Sequence, residues 1–178
     1  MLYYEDITDA IVVGHSYGGM VITGVGDRAA ERVGRLVYLD AANPKNGESL
    51  VEISPGPMEA ARAAGRVVDG VELVLFPGTD PLHFHGVTDP DDIEWMKPKL
   101  TPHPWKCFSQ PISLSNEAAV RALPRASINC TPTLKAKPAA TRAEALDADR
   151  VWEIDTGHDL MITEPEKTAD ALLQVLTA

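Results

Sequence analysis

The 178-residue chain is 44% hydrophobic and 24% charged, ordinary values for a globular protein, and its length suits one domain carrying an insertion. Twenty-six acidic against sixteen basic residues give a formal net charge of -10 with no Lys/Arg stripe, which excludes a phosphate-tracking surface for nucleic acid and favours neutral substrates over anionic ones. The two cysteines, Cys107 and Cys130, define no disulfide framework, and the chain start lacks a signal pattern, so a soluble cytoplasmic protein without a cofactor is the expectation.

Regularity begins at Ala10–Val13, an apolar run of the kind found in strands covered on both faces. It enters Gly14-His15-Ser16-Tyr17-Gly18, after which residues from about Tyr17 to Arg32 read as a helix and Arg35–Leu39 as a second buried strand. Strand, helix, strand in this order implies a parallel pair. A serine in G-x-S-x-G at a strand-to-helix junction sits on a sharp turn that lifts its hydroxyl above the sheet end. Both flanking glycines are then expected to be required, because a side chain at either would strike the neighbouring elements. Ser16 is thereby the candidate nucleophile, and the N–H of Tyr17 the candidate oxyanion donor. A glycine-rich turn with an ordinary surface serine is the competing reading; the flanking strand and helix weigh against it.

After Asp40 the texture changes. Asn43-Pro44-Lys45-Asn46-Gly47 and Ser54-Pro55-Gly56-Pro57 precede an Ala/Arg stretch from Met58 to Arg66, and prolines recur at positions 77, 81, 90, 98, 102, 104 and 111. Such punctuation predicts a cap of short helices and loops inserted over residues 44–114, with residues 1–43 and 115–178 as the core. Within the cap, Trp95, Trp105 and Phe84, with Leu82 and Met96, are candidates for an apolar substrate pocket; packing in the cap's own core is the plainer role for each. His83-Phe84-His85, with Asp80 and Asp89 nearby, is too loose a spacing to predict a metal site.

A strand over Ala126–Cys130, a helix around Ala139–Leu146 and a strand over Arg150–Asp155 follow, the last alternating like one near a sheet edge. Thr163-Glu164-Pro165-Glu166 has capping-box form and predicts a closing helix whose apolar face is Ala169, Leu172, Leu173 and Leu176. A serine hydroxyl needs a histidine base, and that base needs an acid to fix its tautomer. Of His15, His83, His85, His103 and His158, only His158 follows the last predicted strand and so shares a sheet end with Ser16. A loop histidine capping the last helix is the alternative, and His15 is expected to lie beneath the elbow. No Asp or Glu occurs from Ala118 to Ala143. Asp40, at the end of the strand after the nucleophile helix, is the favoured acid, with a turn or helix-cap role as its alternative. Asp147, Asp149 and Asp155 stay open for the same part.

Gly14-His15-Ser16-Tyr17-Gly18-Gly19-Met20-Val21, Leu36-Val37-Tyr38-Leu39-Asp40-Ala41, Thr101-Pro102-His103-Pro104 and Asp155-Thr156-Gly157-His158-Asp159 together resemble α/β-hydrolase-fold serine esterases. More narrowly, they resemble the bacterial branch related to plant methyl-ester esterases and hydroxynitrile lyases. The resemblance covers nearly the whole chain and implies a truncated α/β-hydrolase fold, its mainly parallel sheet of about four strands flanked by helices and topped by the cap. It implies a nucleophile at Ser16, a base at His158 and a carboxylesterase acting on small to medium neutral esters. The family's usual aspartate after the penultimate strand has no match. In the lyases a lysine follows the histidine; Asp159 stands there, which favours hydrolysis over cyanohydrin cleavage.

Family members carry roughly four strands and a helix before the nucleophile strand, where about ten residues stand in this sequence, Met1–Tyr4 resembling the tail of the lead-in helix. The part without a counterpart holds the loop that gives the second oxyanion N–H. Its absence also makes Ala10–Val13 a sheet edge, which predicts a homodimer or higher homo-oligomer that covers it. A noncatalytic ligand-binding or interaction protein is the remaining alternative.

Overall fold

The computed structural model describes residues 1–77 and 86–177. In chain order the principal elements are β1 (Ala10–His15), α1 (Gly18–Ala29), β2 (Val33–Leu39), α2 (Leu50–Ile53), α3 (Pro55–Ala63), β3 (Arg66–Val68), β4 (Val71–Val74) and α4 (Pro90–Met96). They continue with β5 (His103–Pro104), α5 (Trp105–Ser109), α6 (Glu117–Ala122), β6 (Arg125–Cys130), α7 (Thr131–Ala136), α8 (Ala139–Leu146), β7 (Arg150–Ile154), α9 (Leu160–Thr163) and α10 (Pro165–Leu176).

The main sheet is four-stranded and parallel, in the order β1-β2-β6-β7. Its second strand, β2, is apolar without alternation because both of its faces are covered. Leu36 and Tyr38 enter a cluster with Ile22 of α1, Ala41 and Val120 of α6. Val37 and Leu39 point the other way, into a cluster with Ala126, Ile128, Cys130, Ile154, Leu160, Ala171 and Val175. Leu36, Val37 and Ile128 have 0% exposure, and burying each such side chain contributes about 1.5–3 kcal/mol. Helices thus hold the sheet from both sides. All four strands end in the same direction, so the loops after them converge on one rim, the usual place for a site in such sheets.

β1 is paired on one side only. Val12 joins the cluster beneath α1, while Ile11 and Val13 are 38% and 44% exposed. A smaller antiparallel sheet, β3-β4-β5, lies within the proline-rich region. Leu50, Ile53, Met58, Ala61, Val74, Trp105 and Phe108 of that region share one cluster with Met20 of α1 and Ala42. A capping box does form, but at α2, where the Ser49 side chain and Glu52 bond each other's backbone.

Three local expectations change. Residues 2–6 form turns rather than the tail of a helix. The closing helix α10 buries Thr168, Ala171 and Val175, while Leu173 and Leu176 are both 59% exposed. The buried stripe contains a threonine whose hydroxyl donates to the carbonyl of Leu160 or Glu164; of the expected apolar face, Leu172 packs against the core cluster while Leu173 and Leu176 turn outward. Thr163 caps nothing; its hydroxyl bonds that of Thr156.

The turn from β1 to α1 is set by close backbone contact, but not at both expected glycines. A Cβ on Gly14 would lie 2.5 Å from the Gly18 carbonyl oxygen, and one on Gly19 would lie 1.9 Å from that of Ala42. At Gly18 a Cβ meets nothing within 4 Å. The steric requirement therefore falls on Gly14 and Gly19, because α1 is pressed against the 40–42 turn one residue later than the motif suggests. Gly19→Ala is expected to destabilise by several kcal/mol, on the order of an overpacked core. Gly18→Ala, at a helical position with room, should be neutral or stabilise by up to about 1 kcal/mol. Urea unfolding of both variants checks the contrast, and equal losses contradict it.

Candidate active site

Ser16 occupies the left-handed region at φ 55°, and Asp40 does so at φ 41°. Such backbone costs about 1–3 kcal/mol for a non-glycine residue and persists only where surrounding bonds fix it. Here they do. The Ser16 N–H donates to the Leu39 carbonyl (3.3 Å), and the Ser16 carbonyl accepts from Gly19 (3.1 Å) and Ala42 (3.1 Å). The Asp40 N–H donates to the Ile128 carbonyl at 2.7 Å. Both strained turns are thereby stapled to the ends of neighbouring strands.

These turns bring three side chains from three loops into a row. The Ser16 hydroxyl lies 2.8 Å from His158 Nε2, and His158 Nδ1 lies 2.6 Å from Asp40 Oδ2. With Nδ1–H donating to the carboxylate, Nε2 is left as an acceptor for the serine proton. Asp40 is only 2% exposed. Its other bonds come from the Cys130 N–H (3.2 Å to Oδ1) and the Thr133 hydroxyl (2.7 Å to Oδ1). Burial alone would raise its pKa. The hydrogen bond and charge of His158 act against it, helped by Lys137 and Thr133, and the carboxyl is held below its ordinary 3.8.

The loop carrying His158 has two further anchors. Burial, and then the charge of Asp40, push the Cys130 thiol far up, so it stays protonated and donates to the Gly157 carbonyl at 3.0 Å. Gly157 itself touches Gly86: a Cβ on Gly157 would lie 2.5 Å from the Gly86 carbonyl oxygen, and one on Gly86 (φ +77°) would lie 2.6 Å from the Gly157 Cα. Asp159 lies beside the elbow, its Oδ1 3.8 Å from His15 Nε2.

The Tyr17 N–H, at the start of α1, donates to no backbone carbonyl among the described residues, which leaves it available to an oxyanion. Its side chain locks the elbow to the proline-rich region, meeting Phe108 edge-on at 5.4 Å and His103 at 5.7 Å between ring centroids. His103 stacks on Phe108 at 4.6 Å.

The other candidates that the structure describes make none of this row's hydrogen bonds. Trp105 is 6% exposed within the Met20 cluster, edge-on to Phe108, so it packs the region rather than presenting an open wall. Trp95 is 56% exposed with Lys99 Nζ over its ring. Phe84, with Leu82, His83 and His85, lies outside the described residues. Asp147 and Asp149 both bond Arg125 at the start of β6, the far end of the sheet, and Asp155 is exposed. Two surface grooves, of about 310 Å³ beside Trp152 and about 590 Å³ beside Trp105, include none of Ser16, Asp40 or His158. Among the described residues no group of His, Cys, Asp and Glu forms a metal-ligand set, and no helix is long and apolar enough to cross a membrane.

Sequence reasoning missed Thr133 and Cys130 as partners of this row, and gave His15 no bond. Only the emptiness of 118–143 in acids hinted that the 130–133 turn has a different task.

Comparison with known proteins agrees with this architecture. Residues 2–171 match the model of the alpha/beta hydrolase family. A carbendazim hydrolyzing esterase of Nocardioides sp. (strain SG-4G) is 30% identical, the match covering 94% of this chain and 72% of that protein. An extracellular alpha/beta-hydrolase from a Paenibacillus species superposes with a TM-score of 0.72 at 21% identity, covering 97% of this chain and 74% of the other. Polyneuridine aldehyde esterase gives 0.71 at 21% identity, with 96% and 72% covered.

A carboxyl whose pKa is lowered on folding stabilises the native state above its unfolded-state value, and that contribution is lost as pH falls through the folded-state value. Wild type is therefore expected to exceed Asp40→Asn in unfolding free energy from about pH 7 down to about pH 4, with the gap closing only in stronger acid. Urea titrations at stepped pH measure this. A gap already closed near pH 5 would contradict it.

Proposed function

Because the chain belongs to the alpha/beta hydrolase family, we propose that it is a serine carboxylesterase for small to medium neutral esters. The observation that carries this is the unbroken relay from the Ser16 hydroxyl through His158 to the buried Asp40 carboxylate. In that reading Ser16 Oγ attacks the ester carbonyl while its proton passes to His158 Nε2. The carboxylate of Asp40 stabilises the imidazolium that results, and the Tyr17 N–H stabilises the tetrahedral oxyanion. His158 then returns the proton to the leaving alcohol. Water, activated by the same imidazole, cleaves the acyl-enzyme and releases the acid.

The net charge of -10 supports neutral substrates, since an acidic surface repels anions. The relative named for hydrolysing carbendazim supports hydrolysis over bond-forming chemistry. A second reading, a noncatalytic binding protein on the same fold, draws support from the grooves beside Trp152 and Trp105, neither of which includes Ser16, Asp40 or His158.

The edge strand supports a further part of the proposal, a homodimer or higher homo-oligomer that covers Ala10–Val13. Ile11 and Val13 expose apolar surface beside unpaired backbone groups, the arrangement that invites strand pairing.

Hydrolysis of short-chain p-nitrophenyl esters tests the first claim. Ser16→Ala and His158→Ala are expected to lose at least about 10³-fold in kcat, and Asp40→Asn a comparable amount. Equal rates for wild type and Ser16→Ala overturn it in favour of the noncatalytic reading. Light scattering at micromolar concentration tests the second. Wild type should exceed the 19.2 kDa monomer, with Val13→Lys shifted toward it, and a monodisperse wild-type monomer removes this part.

A further inference from the structure

The mechanism uses the side chain of His158 but leaves open what holds its main chain. His15 is the last residue of β1 and the immediate neighbour of the nucleophile. Its Nε2 lies 2.9 Å from the carbonyl oxygen of His158, and the two imidazole centroids are 4.7 Å apart at a 39° tilt. A carbonyl only accepts, so His15 donates from Nε2. We infer that His15 is a positioning residue, a strut from the nucleophile's own backbone to the backbone of the general base.

The geometry forms a closed ring. Ser16 is joined to His15 by a peptide bond, His15 Nε2–H reaches the His158 carbonyl, and His158 Nε2 returns to the Ser16 hydroxyl. Asp40 fixes the rotation of the His158 ring; His15 fixes the distance between the peptide carrying the base and the peptide carrying the nucleophile. Small misplacements at such a pair have large rate effects, because proton transfer needs hydrogen-bond contact along the reaction. His15 also suits a site where positive charge appears. Burial, and next the charge of His158, lower its pKa, against the bond to the His158 carbonyl and the charges of Asp159 and Asp40, and the net direction is down. It therefore stays neutral when His158 takes the serine proton and adds no like charge to the ring beside it. The elbow histidine thus does more than lie beneath the turn.

This inference rests on the esterase reading for its kinetic consequence, though not for its geometry. The test compares His15→Phe and His15→Met, which remove the donor, with His15→Gln, which keeps an N–H donor at similar reach. Two readouts are taken: kcat and KM on p-nitrophenyl acetate, and the downfield imidazole proton resonance of His158 Nδ1–H in the Asp40 bond. His15→Phe and His15→Met should lose roughly tenfold in kcat with KM little changed, and broaden the resonance. His15→Gln should recover to within about threefold of wild type on both readouts. If His15→Phe fails to fold, the Met and Gln pair, matched in length and differing in the donor, decides the matter. Equal behaviour of Gln and Met overturns the strut. Should wild type lack esterase activity, the resonance still discriminates: rescue by Gln alone supports the strut while the esterase reading fails, and no rescue removes it.

Discussion

A single buried negative charge organises the working end of this sheet. Asp40 is nearly inaccessible, and an ionised carboxylate in that position is tolerable only when protein donors replace the water it has lost. Those donors come from separate places: the N–H of the last residue of β6, a hydroxyl in the short helix α7, and the imidazole of the loop after β7. Each strand end except that of β1 is thus tied to one charge, and β1 is tied to the same turn through Ser16 and Leu39. The left-handed backbone at Ser16 and Asp40 follows from this arrangement. Neither conformation is favourable alone, and both are held by bonds that converge on the same few residues.

The surroundings of the elbow are asymmetric. On one side Tyr17 is gripped by Phe108 and His103, and Met20 is buried with Trp105. The elbow on that side is as well packed as a domain core. On the other side β1 offers unpaired peptides and half-exposed Ile11 and Val13. A rigid nucleophile therefore stands beside an open edge.

Much of this was legible in the chain. The apolar run around Val37 marked a strand covered on both faces; the run around Val12 marked a strand too, but one whose Ile11 and Val13 are left half-exposed at the sheet edge. Gly14 to Gly18 marked the turn, and His158 followed from its place after the last strand. Asp40 was readable as a strand-end acid facing a region empty of competitors. What was hidden depends on contacts distant in sequence. Nothing local distinguishes Thr133 from other helix threonines, yet its hydroxyl reaches across 93 positions to Asp40. Gly19 looked incidental because its constraint comes from Ala42, not from the motif. The buried face of α10 was partly misassigned because Thr168 satisfies its hydroxyl internally, and pattern counting gives that residue no credit. Trp95 and Trp105 were equivalent as large aromatics; only packing separates one under Lys99 at the surface from one in a core.

The contact of Gly86 with Gly157 reaches beyond stability. One backbone position of the proline-rich region is in direct apposition with the residue before His158, and a methyl group on either would overlap the other's main chain. Substitution at one therefore cannot be compensated by shrinking its partner, which is already glycine. The residue that meets Gly157 is thus a fixed pivot for any change in the proline-rich region around it.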